Sequence, residues 1–437
     1  MKTLLQDVRS EQNIFAAWRH VKSSAINSRN DDIRGAASAF EHNHQKFLRR
    51  IILQLRAGTF EFPAATGVLK DKKLRASQNK APRPIVVTDL ETRIVQRALL
   101  QVLQPRETLD PRSRNSSLRI KKDERLGSLN DVNVSKYGVG GLIAPHGGVE
   151  SAIRLITHAI DSGANYYFRS DIEAFFTKIP KSNVVERIAI ETRDMDFANL
   201  FARALEVKLN NIEQIGPFEY LFPTGKEGVA QGSPLSAFAG NVLLYQLDQE
   251  LNALDVTAVR YIDDILIVAQ DVDRLNQAID YAEQSLSKHG MKLYEPKAGS
   301  SKAAKGRCDN GIDFLGCFLQ PNKCIPSADS IARFKSRVTS ELSDSKSRIK
   351  DALKVGKLLD KRFSTTATLD RVFNYVYGWQ KAFSFCSDVV PFEQLDRFVR
   401  RQILDYEIAV RRIVKDSSDE SQTMVMGLPS MRQLHKG

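Results

Sequence analysis

The chain has 437 residues, 42% of them hydrophobic, which leaves room for more than one domain with a sizeable core and excludes an intrinsically disordered protein. Its 64 basic and 52 acidic residues leave a formal charge of +12 and a pI near 9.4, so a polyanionic partner is a physical expectation, although charge alone also suits a ribosomal or membrane-surface protein. Residues 1–20 lack the apolar core of a signal peptide, no stretch reaches membrane-spanning length, and Cys308, Cys317, Cys324 and Cys386 include no Cys-x-x-Cys pair. The reading is a cytoplasmic protein with no membrane partner, reduced thiols and no structural zinc.

From Leu4 to Phe62 the pattern is helical. Ile14, Phe15, Trp18 and Val21 share one face, and Phe47, Leu48, Ile51, Ile52 and Leu55 form a second stripe that ends near Gly58. Both stripes read as core, whereas His42 and His44 cannot share a helix face and read as solvated. Gly67 to Lys73 and Lys80 to Val87 make a basic ribbon closed by prolines. That suits a two-stranded flap whose cations face phosphates, with a solvated basic hairpin as the bland alternative. A helix follows from Asp89 to Leu103. From Pro105 to Gly148, basic residues including Arg106, Arg112, Arg114, Arg119 and Arg125 interleave with Ser, Asn, Asp and Gly, and apolar periodicity disappears. A mobile basic loop is expected there. Its glycine-rich end, Gly138 to Gly148, enters a helix from Val149 to Asp161 and is not a Walker loop, because no Gly-Lys-Ser/Thr follows.

Tyr166 to Ser170 is an aromatic, strand-like run that ends on Asp171. After a helical stretch from Lys181 to Leu209, Gln231-Gly232-Ser233-Pro234-Leu235-Ser236 leads into an apolar helix through Leu247. Gly232 permits close backbone approach, Ser233 can cap the helix, and Pro234 suits its first turn. The stretch Val259 to Ala269 organises the chain: two apolar runs flank Asp263-Asp264, the pattern of a buried hairpin with carboxylates at its turn. Asp-Asp pairs are common in surface turns, but Asp171 is a third acid in a similar setting. Adjacent buried carboxylates repel and lose hydration, and a divalent cation compensates both penalties. Strands that each deliver a carboxylate can hold two Mg²⁺ ions about 3.5–4 Å apart, the clamp used for in-line phosphoryl displacement. A helix follows from Val272 to His289. Beyond Ser327 the chain reads as long basic helices, with Leu395, Phe398 and Ile403 inward, Arg397, Arg400 and Arg401 outward, and a frayed tail from Lys415.

At these residues a family resemblance emerges. Tyr261-Ile262-Asp263-Asp264 resembles the Tyr-x-Asp-Asp box of reverse transcriptases, and Phe168 to Phe176 resembles the segment carrying their first catalytic aspartate. Gln231 to Ser236, with Asn241 following, is similar to the Gln-Gly-x-x-x-Ser box of bacterial reverse transcriptases of the group II intron, retron and defence-associated kinds. The resemblance implies an α+β right-hand polymerase: fingers with a helical extension in 1–164, within which the net positive charge of the basic loop 105–148 makes it a candidate RNA contact; a palm in 165–325 whose antiparallel sheet carries the catalytic acids; and a helical thumb in 326–437. It implies Mg²⁺ held by Asp171, Asp263, Asp264 and the backbone of Ile172. Lys80, Arg83, Phe176, Gln231 and Lys297 would meet the dNTP, and Tyr261, Phe314, Leu315 and Gly316 the primer and template. Phe176 aligns with the aromatic position that blocks a ribose 2′-hydroxyl, which points to a DNA product. The Lys297 segment departs from the commoner Asn-x-x-Lys form. With no RNase H domain or Cys-rich endonuclease module following, the resemblance favours a stand-alone defence-associated enzyme working with a dedicated noncoding RNA. A maturase-like RNA-binding protein and an RNA-directed RNA polymerase are the alternatives.

Overall fold

The amino-terminal stripes form helices Leu4–Val8, Glu11–Ile26, Asp31–His42 and His44–Ala57. Thr3, Ser10 and Asn30 cap the first three by accepting from first-turn amides, and Gly58 ends the fourth at φ +71°. Ile14, Trp18, Val21, Leu48, Ile51 and Leu55 are buried in one core with Ile94, Val95, Ala98 and Leu99 of the helix Leu90–Leu103. His42 is exposed and His44 half-buried. The computed structural model describes residues 2–428 apart from 29, 78–80, 108–119, 144, 298 and 301. Lys80 therefore lies outside the described residues, as do Arg112, Arg114 and Arg119 of the basic loop.

Strands β1 (Thr66–Lys70) and β2 (Arg83–Val87) pair antiparallel with Lys70 opposite Arg83, giving the two-stranded ribbon. Four further strands, β3 (Tyr166–Asp171), β4 (Thr257–Tyr261), β5 (Asp264–Ala269) and β6 (Ala303–Arg307), form a sheet in the order β4-β5-β3-β6. Helices Pro234–Asn252 and Val272–Ser287 pack on its strands. With both faces of β5 covered, every residue from Ile265 to Ala269 is buried, which explains its unbroken apolar run.

Two expectations are corrected. The stretch 105–148 is not a loop throughout: Leu126, Leu129 and Val132 enter the main core, and the buried Asn133 side chain donates to the Leu103 carbonyl at 2.7 Å. Its turns are held by Asn amides rather than by periodic apolar residues, so periodicity gave no sign of them. In the tail, residues 419–426 form a helix (Asp419–Met426) that buries Val425, and the Thr366 hydroxyl donates to the Met426 carbonyl at 2.6 Å.

The chain divides into two compact units, Met1–Ala159 with Gly163–Gly306, and Ile160–Ser162 with Arg307–Gly437. The long segment of the second starts at Arg307 and so includes the sheet β7 (Ile312–Phe314), β8 (Cys317–Gln320) and β9 (Lys323–Pro326), which the sequence pattern grouped with the palm. Its helices Ala328–Val355, Thr365–Ala382 and Val390–Val414 enclose a core of Phe334, Val338, Leu342, Val372, Leu395, Tyr406 and Val410. Arg397, Arg400, Arg401, Arg411 and Arg412 are exposed. Among the described residues, no helix is long and apolar enough to cross a membrane.

Candidate active site

The β4–β5 hairpin turns at Ile262 and Asp263, with Tyr261 paired to Asp264. Ile262 takes φ +62°, a conformation that β-branched residues rarely adopt and that costs of order 1–3 kcal/mol, which its surroundings must offset. Across the sheet Asp171 on β3 is the register partner of Asp264 on β5. The Ile172 amide donates to the Asp263 carbonyl at 2.7 Å, tying the end of β3 to the turn. Three acids from two strand ends thus meet at one end of the sheet.

Their electrostatics set this cluster apart from a solvated turn. Burial first, then the neighbouring Asp264 charge, raises the Asp263 carboxyl from 3.8 to about 6, with Arg83 opposing the shift. Burial also raises Asp264. Among the described residues neither forms an ion pair, whereas the Asp171 carboxylate pairs with the Lys302 ammonium. Two adjacent carboxylates whose charged forms are penalised by burial, beside a third that already takes a cation, are a donor set that fits hard divalent ions.

The remaining expected residues fall into three groups. Arg83, exposed on β2, is close enough to counter the Asp263 charge. Gln231 accepts from the Val86 amide at 3.0 Å through its carbonyl, and Gly232, at φ +115°, passes so close that an added Cβ would lie 3.1 Å from the Val86 oxygen. The close approach permitted by Gly232 is therefore to the flap. Ser233 caps the following helix by accepting from the Leu235 amide at 3.2 Å. Phe176 is half-buried, with its ring 5.2 Å from that of Phe175, and its carbonyl accepts from Val229 at 2.7 Å. Lys297 is not on an acid of the cluster: its ammonium lies 3.7 Å from Glu295, and the lysine the structure places on Asp171 is Lys302. Phe314, Leu315 and Gly316 belong to the second unit, with Leu315 at φ +48° and Gly316 against Ser330 and Phe383.

A buried support missed by sequence reading lies beneath the turn. The Arg260 guanidinium, 1% exposed, donates to both carboxylate oxygens of Asp248 at 2.9 and 2.6 Å, to Asn241 Oδ1 at 3.2 Å and to the Ile262 carbonyl at 2.9 Å. Asn241 in turn donates to the Gly140 carbonyl at 2.7 Å. The only sequence sign was charge inside apolar elements, Asp248 in its helix and Arg260 in its strand. Gly140 is fixed by contact: a Cβ there would meet the Ile262 nitrogen at 2.4 Å, and backbone cannot yield cheaply. Gly140→Ala is expected to cost about 1–3 kcal/mol by overpacking. Thermal melting checks this, and a variant matching the parent would refute the contact.

An antiparallel sheet flanked by helices, with three carboxylates at one end and a basic flap beside them, defines a polymerase-type nucleotidyl-transfer domain. Residues 69–319, more than half of the chain, match the reverse transcriptase (RNA-dependent DNA polymerase) family, and the chain belongs to it. Its fold is α+β, helices packed with antiparallel strands. Among solved structures it is similar to a partial Cas6-RT-Cas1–Cas2 complex, at 20% identity over 66% of this chain and 42% of that one, with a TM-score of 0.33. It is also similar to telomerase from Candida albicans in complex with a TWJ fragment of telomeric RNA, at 12% identity over 85% and 65% of the two chains, with a TM-score of 0.40. The chain spans less than half of the first of these. No curated protein gives a significant match.

Proposed function

We propose that this polymerase copies an RNA template into DNA from dNTPs by two-metal-ion phosphoryl transfer at Asp171, Asp263 and Asp264. The observation that carries this is the register pairing of Asp171 with Asp264 beside a turn that presents Asp263. The three carboxylates and the Ile172 carbonyl would hold Mg²⁺, which when bound supplies activation of the primer hydroxyl and charge neutralisation of the departing pyrophosphate. Arg83, and with it Lys80, Gln231 and Lys297, orients the triphosphate. Lys302, which pairs with Asp171, would compete with a metal for that carboxylate. Tyr261, and separately Phe314, Leu315 and Gly316, are the candidate contacts to primer and template. The sequence boxes resemble those of group II intron, retron and defence-associated enzymes, and the role proposed among these is antiphage defence in the cytoplasm with a dedicated noncoding RNA.

Incorporation of dNTPs on a primed RNA, dependent on Mg²⁺, tests the core of this reading; an intact protein that binds primed RNA yet adds nothing would sink it. Sequencing the RNA and DNA that co-purify tests the noncoding-RNA role, a random cellular pool counting against it. Phe176 makes a sharper prediction. If its ring excludes the 2′-hydroxyl, Phe176→Ala should shift the rNTP-to-dNTP ratio of kcat/KM by about tenfold to a hundredfold, as expected for removal of one steric contact. Unchanged discrimination would leave Phe176 as a packing residue only.

A further inference from the structure

Three of the four cysteines converge in the second unit. Cys317 opens β8, and Cys324 lies on β9, where Leu319 is its register partner and Pro326 is that of Cys317. The side-chain alternation of paired strands puts both thiols on one sheet face, as diagonal neighbours. Cys386 arrives from the turn after the helix Thr365–Ala382. It is brought alongside by Ser387, whose amide donates to the Cys324 carbonyl at 2.8 Å and whose hydroxyl accepts from the Cys324 amide at 2.9 Å. The Sγ atoms of Cys324 and Cys386 are 3.9 Å apart, and all three sulfurs lie within 4.8 Å of one another. Cys317 and Cys324 are buried, and Cys386 is half-buried.

We propose that Cys317, Cys324 and Cys386 form a thiolate site for a thiophilic d¹⁰ cation, Zn²⁺ or Cu⁺, unrelated to the magnesium chemistry of the acids. The spacing suits it. Metal–sulfur bonds of about 2.3 Å place sulfurs about 3.8 Å apart around a tetrahedral ion and about 4.0 Å apart around a trigonal one. From separations of at most 4.8 Å the three sulfurs need to close in by about 1 Å or less to reach this. A disulfide would use two of the thiols and leave the third without a task, whereas a metal uses all three. Ligation exchanges the three thiol protons, released to solvent, for the ion. Among the described residues no fourth His, Cys, Asp or Glu joins the group, so Zn²⁺ would keep a water in its fourth position on the half-buried Cys386 side, and Cu⁺ would be satisfied with three sulfurs. The ion would bind the strand pair β8–β9 to the turn that joins two long helices, at a site one residue beyond Gly316.

The test uses the full-length protein, reduced and free of oxygen, titrated with Co²⁺ as a spectroscopic probe. Sulfur-to-cobalt charge-transfer absorption reports thiolate ligands and is silent for the oxygen ligands of the catalytic acids. Saturation is expected at about one Co²⁺ per chain, displaced by Zn²⁺, with the band lost in Cys317→Ser and in Cys386→Ser and kept in Cys308→Ser. Metal analysis of protein purified without chelator should find Zn or Cu that the same two variants lose. Should either variant fail to fold, alkylation of the parent decides: three thiols protected by Zn²⁺ and released by chelator support the site. No charge-transfer band in excess Co²⁺ means thiols packed as small apolar groups, and a mass lighter by two hydrogens that reductant restores means a disulfide. Either result overturns the proposal.

Discussion

Replacing Asp263 by Asn is expected to abolish DNA synthesis and, in the absence of divalent metal, to make the folded protein more stable at neutral pH. The first effect follows from loss of an anionic ligand: a fall of at least about a thousandfold corresponds to about 4 kcal/mol of lost transition-state stabilisation. The second follows from burial. In the folded chain the Asp263 carboxyl holds its proton to about pH 6, against an ordinary value of 3.8. The folded state therefore binds more protons than the unfolded chain between those values, and the stability associated with this group falls as pH rises through that window. At pH 7 the ionised side chain costs up to about 3 kcal/mol, an upper bound because Asp264 shares the site. A neutral amide of the same shape removes that cost. In chelator, thermal melting should put the variant several degrees above the parent at pH 7, with the gap closing toward pH 4. Added Mg²⁺ should raise the parent and leave the variant nearly unmoved. A variant that melts at the parent's temperature throughout, or gains equally from Mg²⁺, would remove Asp263 from the metal site.

That strained, charge-rich cluster was the most legible part of the sequence, because a charged turn breaks the pattern around it: ionisable side chains interrupt apolar runs that otherwise read as buried strand. The flap was legible for a similar reason, its prolines and β-branched run marking strand ends. What escaped was structure whose cause is non-local. Lys297 and Lys302 are both lysines near one turn, and only the antiparallel return of the chain beside β3 puts Lys302 on Asp171. The three thiols gave no sign because Cys386 follows Cys324 by 62 residues and belongs to a different element. Leu126, Leu129 and Val132 make too short a stripe to stand out from the glycines and asparagines around them. The Arg260–Asp248 pair defeats the rule that charge marks surface, since each side chain is bought into the interior by the other.

That pair carries the second large prediction. Asp248 is wholly buried, and burial raises its carboxyl while Arg260 opposes the rise. Arg260→Met would leave the carboxylate without its bidentate partner, and Asp248→Leu would strand the guanidinium; each is expected to destabilise by about 3–5 kcal/mol. The double variant Arg260→Met/Asp248→Leu removes both charges at once, so urea midpoints should show most of that loss recovered, a large favourable coupling. Synthesis should not recover with it. Arg260 also donates to the Ile262 carbonyl, at the residue held at φ +62°, and to Asn241, which holds Gly140 against the same turn. Methionine supplies neither bond, so the turn that presents Asp263 is free to relax, and a displacement of about 1 Å at a reacting centre can cost of order a hundredfold in rate. The expected pattern is a folded double variant with near-parental stability and a kcat reduced by about that factor, while RNA binding is retained. Stability and rate returning together would show that the pair only fills space, and that Ile262 is held in its strained conformation by the strand pairing alone.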